Sequence, residues 1–112
     1  MVRYIRAANY DYYPFLDTKE FVKLLWHIRT EAKRLGLKYE YYDNPDPNDL
    51  GGENRDKSNA IWIYDSNGNF LVAFLIEATK TKLTVSYDNN KESFKSFSEA
   101  KDFITQVLES VA

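Results

Sequence analysis

Few residues in this chain have the type and spacing to do chemistry, and each can be weighed against an ordinary structural role. His27 is the only histidine among 112 residues, and Glu31 follows it four positions later. Imidazole is the side chain that most readily exchanges a proton near neutral pH. Four residues is one helical turn, so the pair can interact on one helix face. A nucleophilic mechanism also needs a nucleophile and a group that orients the base, and nothing in the sequence supplies them. One imidazole is also too few donors for zinc, which takes three or four protein ligands. His27 therefore reads as a surface residue beside Glu31.

The second candidate is acidic. Residues 43–56 contain Asp43, Asp46, Asp49, Glu53 and Asp56 against Arg55. Asn44, Asp46 and Asn48 have the 1-3-5 spacing of a calcium loop. That motif needs glycine at its sixth position, for a sharp turn, and a bidentate glutamate at its twelfth. Asp49 and Arg55 stand there instead. Asp46 and Asp49 could also form a general acid–base pair, but carboxylates on a solvated loop lack the burial that shifts a pKa into the working range. The glycines are Gly36, Gly51, Gly52 and Gly68. They fit turns or caps and make no phosphate-cradling loop. There is no Gly-x-Ser-x-Gly elbow. No catalytic residue, metal site or cofactor is expected, and the chain reads as non-enzymatic.

Trp62 and Tyr64 form the third candidate. They alternate with Ile61 and Ile63 in a run of β-branched and aromatic residues, so they project from the opposite face of a strand. Trp and Tyr beside Leu are the types that concentrate binding energy at interfaces.

The element that positions them is a meander over residues 60–87. Asn67-Gly68 between two apolar runs signals a hairpin with a type I′ loop. Its register sets Ile61 against Phe74, Trp62 against Ala73, Ile63 against Val72 and Tyr64 against Leu71. Thr79-Lys80 at the next tip sets Glu77 against Lys82, Ile76 against Leu83, Phe74 against Val85 and Val72 against Tyr87. Both placements give one apolar face of Ile61, Ile63, Phe70, Val72, Phe74, Ile76, Leu83, Val85 and Tyr87. A slip by one residue would bury Lys82, Thr84 and Ser86 instead. The other face carries Trp62, Tyr64, Leu71, Ala73 and Leu75 beside Thr84 and Ser86. Such a face calls for a cover: the Tyr10–Phe15 segment, another strand, a second copy of the chain, or a partner.

Helices flank the meander. Asp17 and Glu20 make a capping box, and Phe21, Leu24, Leu25, Ile28, Ala32 and Leu35 form an apolar stripe at helical spacing. Trp26 and Val22 widen it. Gly36 and Leu37 close the helix, which is expected over 17–35. Ser96 and Glu99 open a second helix with the stripe Phe97, Ala100, Ile104, Val107, Leu108 and Val111. Residues 38–43 read as a strand beside 61–64, and residues 88–91 as a turn. Residues 44–59 read as a long acidic loop, the kind that is usually functional or disordered. Val2–Arg6 could add an edge strand. The expected fold is a single α+β domain over 1–112. It is a two-layer sandwich of a mostly antiparallel four-stranded sheet, five with the N-terminal strand, and two helices on one face.

Composition narrows the function. The net charge is −2 and there is no cysteine. Near-neutral charge argues against broad nucleic-acid binding. Absence of cysteine excludes disulfides and fits a reducing compartment. The longest apolar run, Phe70–Ile76, is far too short for a membrane span. The first residues have no apolar leader core. A cytoplasmic location is expected.

Two readings follow. The first is a protein-binding module of inhibitor, immunity or accessory type. It would use Trp62, Tyr64, Leu71 and Leu75, with Asp43, Asp46, Asp49 and Glu53 steering a basic protein partner. Homo-oligomerisation through the same face is compatible with it. The second is a single-stranded nucleic-acid platform stacking bases on Trp62 and Tyr64. The aromatic face carries few Lys or Arg and the chain has no RNP-like signature, so nucleic acid ranks below protein.

Overall fold

The computed structural model describes residues 13–43, 45 and 55–112. These residues form a two-layer α+β sandwich. A 3-10 turn, Pro14–Leu16, precedes helix α1, Thr18–Arg34. Five strands follow: β1 Lys38–Tyr41, β2 Lys57–Tyr64, β3 Phe70–Ala78, β4 Leu83–Tyr87 and β5 Asn90–Phe94. Helix α2, Phe97–Val111, ends the chain. The sheet order is β1-β2-β3-β4-β5 and every pair is antiparallel. This is the simplest topology the chain could take, since each strand pairs with its sequence neighbours.

Both helices start and stop where local chemistry directs. The Asp17 side chain accepts from the Glu20 N–H at 3.1 Å, satisfying one of the unpaired amides of the first turn of α1. At the other end Leu37 N–H donates to Ala32 O at 2.8 Å and Gly36 N–H to Lys33 O at 3.1 Å. Those two bonds define a Schellman closure, and Gly36 takes the left-handed conformation it needs, φ 74°. Ser96 caps α2 by accepting from Glu99 N–H at 3.1 Å. The Glu99 carboxylate accepts in return from Lys95 N–H at 3.0 Å.

The core lies between the helices and the inner sheet face. Phe21, Leu24, Leu25, Ile28 and Ala32 of α1 and Ala100, Ile104 and Leu108 of α2 are fully buried. They meet Ile61, Ile63, Val72, Phe74, Ile76, Leu83 and Val85. Val22 is also buried, whereas Trp26 is 39% exposed, with the Arg29 guanidinium 5.5 Å above its ring.

The hairpins differ from the expected turns in instructive ways. The β2–β3 loop is Asp65–Asn69, not a two-residue Asn67-Gly68 loop. Gly68 N–H donates to Asp65 O at 3.0 Å, and Asp65 N–H to Asn69 O at 2.8 Å. Gly68 alone of the turn has positive φ, 87°. The Asp65 carboxylate accepts from the N–H groups of Asn67 and Asn69, each at 2.9 Å. These bonds hold that carboxyl below its ordinary pKa. The extra residue is absorbed by a bulge: Ile63 still faces Val72, but Tyr64 faces Phe70 rather than Leu71. Phe70 therefore leaves the core face and is 55% exposed. Leu71 is half-buried and packs against the core.

The β3–β4 register is two residues away from expectation. Ala78 faces Leu83, Ile76 faces Val85, and Glu77 faces Thr84 rather than Lys82. Thr79 N–H closes the turn on Lys82 O at 2.8 Å. The Thr79 hydroxyl accepts from Lys82 N–H at 3.1 Å, so it stabilises a tip one position later than the one anticipated. An even shift keeps each side chain on its face, so the core was unaffected.

Two strand boundaries also moved. β2 starts at Lys57, inside the segment read as loop. After the two-residue turn Asp88-Asn89, with Asp88 at φ 50°, the chain forms β5 where only a turn was expected. The fifth strand is thus Asn90–Phe94. The Val2–Arg6 strand expectation lies outside the described residues.

Candidate functional site

The outer sheet face is the candidate site. Pairing fixes its members. Glu40 faces Trp62, Trp62 faces Ala73, Ala60 faces Leu75, and Tyr64 faces Phe70. Tyr42 extends the array beyond β1: its N–H donates to Ala60 O at 2.8 Å and its ring lies 6.3 Å from the Trp62 ring. The Tyr64 and Phe70 rings meet edge-on at 6.1 Å. Tyr42 is 70% exposed, Phe70 55% and Leu75 39%, while Trp62 and Tyr64 are partly buried by one another's neighbours. Tyr42, Asp43, Ser58, Trp62 and Leu75 share one shallow concavity. Phe70, Ala73, Leu75 and Ser86 line a second beside it.

Phe70 and Tyr42 are the residues that sequence reasoning missed. Phe70 arrives through the bulge, which alternation cannot show. Tyr42 sits just past the end of β1, where the period of two could have placed it beside Glu40. Leu71 goes the other way and leaves the array for the core. Trp62, Tyr64 and Leu75 lie where expected.

Tyr13 and Phe15 do not cover this face. The Lys80 ammonium lies 5.2 Å over the Tyr13 ring, and the Phe15 ring packs on Phe97 of α2 at 6.5 Å. Both contacts lie away from the Trp62 array. The remainder of the Tyr10–Phe15 cover, Tyr10–Tyr12, lies outside the described residues.

The acidic segment leaves the sheet at the edge of the array. Asn59, 3% exposed, fixes the departure point: its amide donates to Asp43 O at 2.8 Å and accepts from Asp43 N–H at 3.3 Å. The chain is anchored again at Lys57, whose ammonium donates to Leu16 O at 3.0 Å and Arg55 O at 2.9 Å. Asp43 is exposed beside Trp62. Asp46, Asp49 and Glu53 lie outside the described residues.

Charges of both signs border the outer face: Lys38 and Glu40 on β1, Glu77 on β3, and Lys82, Asp88 and Lys91 at the β4–β5 side. Tyr64 O–H donates to Glu40 at 3.3 Å. Local desolvation, and then the Glu40 carboxylate, push the Tyr64 phenol above its ordinary pKa.

His27 lies near Glu31 as expected, but it is not a free surface residue. Its ring is half-buried between the helices, with Nε2 2.8 Å from Thr105 Oγ1 of α2. Burial lowers its pKa, with Glu31 opposing that shift. Glu31 also binds Arg34 at 2.8 Å, and Arg34 reaches Glu109 of α2 at 2.9 Å. The cluster ties one helix to the other and faces away from the aromatic array. Among the described residues no group of three or more His, Asp or Glu is placed to hold a metal ion. No helix there is long and apolar enough to cross a membrane.

Comparison with family models, with curated proteins and with solved structures finds no match.

Proposed function

We propose that this chain is a non-enzymatic protein-binding module whose recognition surface is the outer sheet face. One observation carries the reading. The exposed Tyr42, Phe70 and Leu75 and the half-buried Trp62 and Tyr64 cluster on one face of a sheet whose other face already holds the core. Contiguous apolar exposure is costly in water and marks interaction surfaces far more specifically than scattered single residues do. The concavities are shallow and open, which suits a protein surface better than an enclosed small ligand.

The partner class follows from the rim. Asp43 stands at the edge of the array and begins a segment rich in Asp and Glu. A basic protein surface with apolar side chains at its centre complements both features. The module is thus of the inhibitor, immunity or accessory type, acting in the cytoplasm by masking or docking.

The test is parallel capture from a lysate by tagged wild type and a Trp62→Ser/Leu75→Ser variant, with nuclease added. A stoichiometric basic protein held by wild type and lost by the variant supports the reading. Its association rate should also fall when salt is doubled. Equal capture by both proteins, or recovery of nucleic acid alone, contradicts it. Recovery of nucleic acid would favour base stacking on the same aromatics.

A further inference from the structure

We propose that the β3–β5 end of the outer face holds a separate site, an oxyanion site for a small phosphate monoester that also carries hydroxyl groups, such as a polyol phosphate. It stands apart from the aromatic array and does not depend on reading that array as a recognition surface.

Strand pairing assembles the site. Glu77 on β3 faces Thr84 on β4, and Thr84 faces Ser93 on β5. Residues directly opposite share a face, here the outer one. Lys82 precedes Thr84 by two residues, and Lys91 precedes Ser93 by two. The strands are antiparallel, so the two lysines flank the Thr84–Ser93 pair from opposite sides. Thr79 closes the group from the hairpin turn. These six residues line one concavity of about 390 Å³, within the range of about 300–1,000 Å³ that small-ligand sites occupy.

Two observations give the chemistry. The charges are uncommitted: Lys82, Lys91 and Glu77 form no ion pair with another described residue, and the lysines outnumber the carboxylate. Thr84 is only 6% exposed, yet no described residue hydrogen-bonds its hydroxyl. A hydroxyl that deep ordinarily has a partner, and the concavity is where one can come from. Thr79 is also set to donate. Its oxygen accepts from Lys82 N–H at 3.1 Å and Thr81 N–H at 3.4 Å, which occupies both lone pairs and leaves its proton. Two ammoniums and three hydroxyls thus surround the space. A phosphoryl group meets them well, with three acceptor oxygens and close to two negative charges near neutral pH. Glu77 can only accept, and it repels a bare phosphate. The ligand must therefore bring a hydroxyl beside its phosphoryl group. Because the concavity is open to water, the expected affinity is in the millimolar range.

An amide-resolved NMR titration of the full chain at constant ionic strength tests this, with glycerol phosphate, inorganic phosphate and glycerol as probes. Glycerol phosphate should move the signals of Thr79, Thr84, Lys91 and Ser93 along one saturating curve. Inorganic phosphate should bind about threefold more weakly, and glycerol not at all. Lys82→Gln/Lys91→Gln should weaken binding about tenfold or more. Both lysines are exposed, so the fold should persist. Thr84→Val keeps the side-chain shape and should cost about fivefold. Glu77→Ala should erase the preference for glycerol phosphate over inorganic phosphate. Trp62→Ser/Leu75→Ser should bind both as wild type does, which separates this site from the array. Shifts that never saturate, that spread equally to distant lysines such as Lys19 and Lys23, or that survive Lys82→Gln/Lys91→Gln overturn the site. Equal binding of glycerol phosphate and inorganic phosphate overturns the hydroxylated ligand.

Discussion

Asn59 illustrates how a polar side chain comes to be buried in this protein. Its amide matches the two backbone groups of Asp43 and also accepts from Ala60 N–H at 2.8 Å. A buried amide with its partners in place costs little, whereas removing it strands those partners. Asn59→Ala should therefore lose about 1–3 kcal/mol of stability, read as a lower denaturant midpoint with unchanged slope. An unchanged midpoint would mean that water replaces the side chain freely. His27 gives a prediction of a different kind. Its pKa is lowered by burial in the folded protein. Below the ordinary histidine pKa the unfolded chain takes up a proton that the folded chain resists, so stability falls as pH drops from 7 toward 5.5. Lys101 and Asp102 of α2 and Glu31 of α1 also act on this ring, the Lys101 charge lowering the pKa, and the Lys101 backbone hydrogen bond and both carboxylates raising it. Comparing denaturation midpoints at the two pH values isolates its part: the drop should shrink in His27→Gln. An equal drop in both proteins would assign it to other groups.

At the scale of elements, helix ends and the sheet core obey local rules closely. Asp17→Ala and Ser96→Ala should each cost about 1 kcal/mol, since each removes the cap of a helix whose first-turn amides have few other partners. Thermal melts of the two variants would show it. These caps were legible because capping is written in residues three positions apart. The inner sheet face was legible for a related reason: alternation survives any even shift in register, so Ile61, Ile63, Phe74 and Ile76 were assigned correctly although the second hairpin is offset by two. What escaped the sequence was what alternation does not encode. The bulge opposite Tyr64 sends Phe70 outward and Leu71 toward the core. β5 carries Asn90, Lys91, Glu92 and Ser93, a polar run with no apolar period. Its charges fit its position, because an edge strand studded with Lys and Glu resists pairing with another chain. α1 considered alone puts His27 on the polar side. Only the arrival of Thr105 on α2 buries it.

For the whole molecule, the two sheet faces divide the work. The inner face and the two helices hold the fold together, and Phe74→Ala there should cost about 3–5 kcal/mol by leaving a cavity. The outer face holds an aromatic array that the fold does not need for its core. Trp62→Ser/Leu75→Ser should therefore leave most of the stability intact while removing binding. The outer face, and not the helical side, should meet another protein. Site-specific photo-crosslinking distinguishes the two surfaces. A photoreactive phenylalanine replaces Tyr42 on the outer face in one preparation, and Ser98, exposed on α2, in another. A discrete protein adduct is expected from position 42 and none from position 98. Adducts from position 98 alone, or equally from both, would contradict it.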